Sequence, residues 1–136
     1  EQFCKMVVQM FGLDATDTTS HFNDVDETKW YAPYVTAAVN AGYVQGQSDE
    51  YFGIGEVIMR QDMATILYRA INKSGDGVIL EFTDNSDIAA YAKDAVAELV
   101  GLGVMNGYED GSFKPRGSAT RAEASKVIYG TYKIVK

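Results

Sequence analysis

A single cysteine, Cys4, and a single histidine, His21, stand in a chain of 136 residues. One cysteine excludes a disulfide within the chain, and the pair all but excludes a zinc site built on thiolate and imidazole ligands. A Cys–His catalytic couple survives the count. Cys4, however, lies in an apolar helical stretch, where an inert buried thiol is the simpler reading. Positive charge is also scarce: 12 Lys and Arg face 19 Asp and Glu, for a net charge of −7 and a pI near 4.6. Nucleic-acid binding needs clustered cations to neutralise phosphates, so that class is set aside. No apolar run approaches the roughly 20 residues of a membrane-spanning helix, which argues against insertion into a bilayer. The chain opens directly in helix-like sequence, "EQFCKMVVQMFGL", with nothing resembling a leader, and reads as an internal or mature fragment. Its length suits one domain with a real core.

What is present is repetition. Phe22 and Asp24 recur as Phe82 and Asp84, a shift of 60, and after one extra residue Trp30, Gly42 and Gly46 recur as Tyr91, Gly103 and Gly107. The shift of 61 then holds without a gap, pairing Asp49 with Asp110, Phe52 with Phe113 and Arg60 with Arg121. A third, partial copy stands at the N-terminus. Phe3, Met6, Val7, Met10 and Phe11 follow helical i, i+3, i+4 spacing, as do Met63, Ile66, Leu67, Ala70 and Ile71. Ala124, Val127, Ile128, Thr131 and Tyr132 repeat it once more. Residues 1–13 therefore read as the closing helix of one repeat, and 21–73 and 81–136 as two complete ones.

Each complete repeat reads as helix, loop, helix. The opening helices are predicted near Tyr31–Ala41, with Pro33 tolerable in the first turn, and Asp87–Gly101. Gly42 and Gly103 serve as helix stops. Loops run over Gly46–Val57 and Gly107–Ser118, anchored in the core by Phe52 and Phe113. Closing helices start near Arg60 and Arg121, and 14–20 and 74–78 are polar connectors. No alternating strand pattern appears, so the fold class is all-α.

At the last closing helix, Thr120 and Glu123 form the T-x-x-E pattern of a reciprocal capping box. Between them sits Arg121, a cation on a helix end that already carries positive partial charge. Backbone N–H groups there, with a guanidinium, make a trap for a carboxylate or phosphate. The alternative is that Arg121 pairs with an acid such as Asp84, Asp87 or Asp110 and only stitches repeats together.

The segments "FNDVDETKWYAPYVTAAVNAGYV" and "NGYEDGSFKPRGSATRAEASKVI" resemble the S-layer homology family, with its F-x-D-V opening, G-Y-x-D-G-x-F-x-P loop and T-R-A-E helix start. The resemblance covers essentially the whole chain. It implies a pseudo-threefold helical module of helix-loop-helix repeats that anchors proteins non-covalently to the cell surface by binding secondary cell-wall polysaccharide, often pyruvylated, in grooves between repeats. Departures are visible: "MRQD" at 59–62 replaces T-R-A-E, Glu50 stands where the family prefers glycine, and Asn85 and Tyr91 replace the motif valine and tryptophan. Equivalent sites in all repeats are therefore not expected.

The resemblance assigns polysaccharide binding to Arg121, Arg60, Trp30, Asp24, Asp84, Tyr91, Gly46 and Gly107. Trp30 either stacks a sugar face or fills the core at a helix start. Asp24 and Asp84 either accept bonds from sugar hydroxyls or cap the turn into the next helix. Gly46 and Gly107 serve backbone geometry first, and Tyr108 flanks a groove or is simply an exposed loop residue. "YEDGSF" lacks the alternating ligands and closing glutamate of a calcium loop, so no metal or cofactor is expected. No acid/base pair is identifiable, so no enzyme is expected. The module is expected outside the cell, on the cell wall or S-layer surface. A structural protein–protein module of the envelope with degenerate sugar sites is the alternative. The register places an arginine just before Glu1. A companion N-terminal half-repeat, as a separate peptide or from another copy of the chain, is therefore the expected partner of the first helix.

Overall fold

The computed structural model describes residues 1–71 and 78–135; of the 74–78 connector, all but Val78 lies outside the described residues. Five α-helices carry the regular structure: α1 (Gln2–Phe11), α2 (Ala32–Asn40), α3 (Arg60–Ile71), α4 (Lys93–Gly101) and α5 (Arg121–Val135). Among the described residues the only β feature is an isolated bridge between Met59 and Ser118, so the chain is all-α. The shift of 61 that relates the repeats also relates both ends of α2 to α4 and the starts of α3 and α5.

Local chemistry explains these limits. Pro33 sits in the first turn of α2, where its missing N–H breaks no helical bond. Gly42 (φ 79°) and Gly103 (φ 74°) take the left-handed conformation after α2 and α4. The N–H of the next residue then closes each helix, Tyr43 onto the Ala38 carbonyl and Val104 onto the Leu99 carbonyl, both at 3.0 Å.

The second opening helix is shorter than the sequence predicts. Instead of starting at Asp87, the chain makes 3-10 turns at Asn85–Asp87 and Ala90–Ala92, separated by extended Ile88 and Ala89. The Ala89 N–H donates to the Gln61 Oε1 atom at 2.9 Å, and Ile88 is buried. A distant side chain thus holds Ala89 extended, and α4 starts four residues later.

Two compact units divide the chain, Glu1–Glu56 and Val57–Lys136. In the first, α1 packs on α2, and Phe22, Val25, Ala32 and Val35 form a core joined by Phe52 and Ile54. The buried face of α1 is Phe3, Cys4, Val7 and Val8, whereas Met6, Met10 and Phe11 are half-buried. Burial pushes the Cys4 thiol up to about 11, which leaves it protonated and inert. In the second unit α3 packs on both α4 and α5 and buries Met63, Leu67, Leu99, Met105 and Phe113. Fully burying one such side chain contributes about 1.5–3 kcal/mol. Thr131 on α5 is buried as the periodicity predicts, but Tyr132 is exposed.

Candidate functional site

Each loop is built on one aspartate. Asp24 accepts the N–H groups of Phe52, Gly53 and Ile54 at 2.8, 2.8 and 2.9 Å. Asp84 accepts those of Phe113 and Lys114, both at 2.8 Å. Neither caps the following helix turn as the sequence allowed; Asp84 makes no side-chain cap bond to the turn that starts at Asn85. Burial works to raise the Asp24 carboxyl, but its three backbone N–H bonds outweigh that and hold it below the usual carboxylate range. The phenylalanine two residues earlier explains the loop glycines. A Cβ on Gly46 would lie 2.7 Å from the Phe22 ring, and one on Gly107 only 2.4 Å from the Phe82 ring. Both glycines are where an aromatic ring passes under the loop.

Arg60 lies at the start of α3 and is 5% exposed. Its Nε donates to the Phe113 carbonyl at 2.9 Å and its Nη2 to the Asn106 carbonyl at 2.7 Å. The guanidinium carbon stands 4.6 Å from the Phe113 ring centre and 4.8 Å from that of Tyr108. Nη1 faces the Glu123 carboxylate at 3.6 Å. The end of α3 is equally occupied: Arg60 N–H donates to the Gly117 carbonyl and Gln61 N–H to the Pro115 carbonyl, both at 2.9 Å. The trap of N–H groups and guanidinium therefore exists at Arg60 and is filled by the 106–118 loop itself.

Glu123 leaves half of its capping box. The Thr120 hydroxyl accepts the Glu123 N–H at 3.0 Å, as the sequence predicts. The Glu123 carboxylate does not return the bond: Oε1 accepts the Tyr108 hydroxyl at 3.1 Å, and Oε2 turns toward Arg60. Tyr108 is thereby fixed, with the Lys114 ammonium 4.6 Å from its ring centre as well. Burial and then the Glu123 bond keep its phenol above the ordinary value, against the lowering effect of Arg60. Between α5 and the loop a cavity of about 160 Å³ opens, edged by Arg60, Asn106, Gly107, Tyr108, Glu123 and Lys126.

Arg121 is different. It is exposed, it forms no ion pair with Asp84, Asp87 or Asp110, and its own N–H and that of Ala122 meet no acceptor among the described residues. Trp30 is 51% exposed, which rules out the core reading. Its ring packs near Tyr31 and Tyr34, with the Lys5 ammonium 5.6 Å from its centre and 5.5 Å from that of Tyr34. Tyr91, its repeat partner, is 58% exposed and donates its hydroxyl to Asp62 Oδ1. Burial and that bond push the Tyr91 phenol up to about 12.

Of the residues singled out from sequence, the structure brings Arg60 and Gly107 to one cavity. Arg121 stands apart from it on the same unit, and Trp30, Asp24 and Gly46 belong to the other unit. The sequence reading missed Glu123 as a wall of the cavity, and with it Asn106 and Lys126. The i, i+3 spacing of Glu123 and Lys126 puts them on one face of α5 and was the available signal. Among the described residues no cluster of acids, Cys and His is arranged to hold a metal ion.

The S-layer homology domain family matches residues 21–64 and 81–125. The chain is 32% identical over 134 residues to an exoglucanase of Acetivibrio thermocellus, covering 95% of this chain but 12% of that protein. It is 30% identical over 118 residues to the surface-layer 125 kDa protein of Lysinibacillus sphaericus, covering 85% of this chain and 10% of the relative. A cellulosome-anchoring protein of Acetivibrio thermocellus matches at 26% over 115 residues, 79% of this chain and 25% of that protein. The chain thus spans a small part of each relative.

Proposed function

We propose, on the premise that the chain belongs to the S-layer homology family of cell-surface modules, that it anchors a larger protein by binding carboxylate-bearing secondary cell-wall polysaccharide. Its place is the extracellular surface of the cell wall. The enzyme relatives match this chain over a small part of their length, and in our reading the chain does the holding rather than the catalysis.

The observation that supports the reading is the contrast between the two motif arginines. Arg60 is engaged by the protein, whereas Arg121 presents its fork at an open helix N-terminus. A pyruvate ketal carries a carboxylate that is ionised at neutral pH and matches a planar guanidinium. Half-exposed Trp30 and Tyr91 supply the amphipathic faces on which sugar rings stack. Isothermal titration with a pyruvylated disaccharide tests it. Arg121→Ala is expected to weaken binding by about 2–4 kcal/mol, and Arg121→Lys to recover only part. Unchanged affinity in a folded Arg121→Ala protein sinks the assignment.

The burial of Arg60 also favours a second reading, a structural envelope module whose arginines join segments of protein. Pull-down with purified sacculi, before and after acid removal of the attached polysaccharide, separates the two. Retention that survives the stripping supports the structural reading.

A further inference from the structure

The cavity beside Arg60 does not offer what a carboxylate needs. The Arg60 Nε and Nη2 donate to main-chain carbonyls, and two aromatic rings lie against the guanidinium, whose side chain is 7% exposed. A bidentate fork is therefore not available to a ligand. The group with an unmet requirement is an acceptor: Glu123 Oε2 is buried in the cavity wall and receives no hydrogen bond, its nearest partner being Arg60 Nη1 at 3.6 Å. A buried carboxylate oxygen without a donor is costly, so the cavity favours an occupant that brings one. One turn further along α5, exposed Lys126 borders the same cavity and supplies a donor of its own. At about 160 Å³ the space is well below the roughly 300–1,000 Å³ of sites for drug-sized ligands, which suits a single ring.

We propose that this cavity takes one uncharged sugar unit of the polymer, a hydroxyl or acetamido N–H of which donates to Glu123 Oε2 while an acetamido or ring oxygen accepts from Lys126. Glu123 is then the residue that selects an unmodified sugar here and turns a carboxylate away, and Arg60 positions Glu123 and Tyr108 rather than touching the ligand. The inference rests on the polysaccharide reading above.

The test uses the full chain and two probes, methyl N-acetylglucosaminide and a pyruvylated N-acetylhexosamine, followed by amide and arginine Nε–H chemical shifts. The neutral sugar is expected to move the Asn106, Tyr108 and Glu123 signals. Glu123→Gln is expected to weaken it about tenfold, the scale of one hydrogen bond to a charged group, while admitting the pyruvylated probe more readily. Lys126→Ala, at an exposed position that does not strain the fold, is expected to weaken the neutral sugar several-fold. Cavity shifts caused by the pyruvylated probe alone, or neutral-sugar binding untouched in both variants, overturn the inference. A parallel assay with intact wall polysaccharide keeps the two readings apart. Loss of all polymer binding by the unmutated chain removes the function itself, whereas polymer binding with no cavity shifts removes only this assignment.

Discussion

Arg60 and Arg121 hold the same position in the repeat, yet Arg60 is buried against two carbonyls and two rings while Arg121 is exposed. The helices they begin differ in the same way. All four leading N–H groups of α3 are accepted, by Gly117, Pro115 and Met59 carbonyls, whereas on α5 the first two meet no acceptor among the described residues. What differs is not the arginine or the helix but whether another segment arrives to occupy them. A motif residue of this kind has one chemistry, a planar fork beside a positive helix end. Its role is decided by whether the first partner to reach it is protein or ligand.

The largest expected effect follows directly. Arg60→Ala removes two charge-assisted bonds, leaves the Phe113 and Asn106 carbonyls and the Glu123 carboxylate without their partner, and opens a gap in the packing. A loss of about 3–5 kcal/mol is expected in urea unfolding. Arg121→Ala, at an exposed position, is expected to change stability by no more than about 0.5 kcal/mol. Equal effects at the two sites would break the comparison, because they would mean that both ends of the repeat are occupied alike.

The aspartates extend the comparison to the loops. Asp24 receives three N–H groups and Asp84 two, because Pro115 stands where Ile54 donates and proline has no N–H. Asp24→Asn is expected to cost about 2–3 kcal/mol and Asp84→Asn about 1–2 kcal/mol, measured by thermal or denaturant unfolding. The pH dependence has a definite sign. Asp24 is held below its unfolded value, so above about pH 4 the carboxylate contributes its full share. As pH falls from there through the folded value, the unfolded chain takes up the proton first and that contribution is lost. The wild type should therefore lose stability below about pH 4 more steeply than Asp24→Asn. Parallel curves would mean that the carboxylate's charge contributes nothing to holding the loop.

These contrasts also mark how far the sequence could be read. The repeat, the all-helical class, the glycine stops at 42 and 103 and the Thr120 cap were legible because each depends on spacing or on a residue's own backbone preference. The delayed start of α4 was not, since Gln61, 28 residues away, holds Ala89 extended. Nor was the fate of Glu123. Local logic returns it to its cap, but Tyr108 and Arg60 compete for the same carboxylate and prevail. Arg60 shows the limit most clearly, since its acceptors lie 46 and 53 residues further along the chain. Helical and loop periodicity carry no information about which carbonyl arrives at which helix end.

The smallest expected effect concerns a position where the two loops share a backbone shape but not a residue. Gly53 has φ 100°, and its repeat partner Lys114 has φ 55°, the only non-glycine residue with positive φ among the described residues. A left-handed conformation costs an ordinary residue about 1–2 kcal/mol. The ammonium over Tyr108, 4.6 Å from the ring centre, offsets about 0.5–1 kcal/mol of that. Replacing Lys114 by glycine relieves the strain, removes the ammonium and adds about 0.5–1 kcal/mol of unfolded-chain entropy. The three nearly cancel, and Lys114→Gly is expected to fall within about 0.5 kcal/mol of the wild type. Lys114→Ala keeps the strain and loses the ammonium, so it should be less stable by about 0.5–1 kcal/mol. The difference in melting temperature between these two variants isolates the backbone strain from the cation. If alanine proves as stable as glycine, then the 106–118 loop relaxes freely at this point, and the rigid platform on which Arg60 and Tyr108 sit is softer than the hydrogen bonds of Asp84 imply.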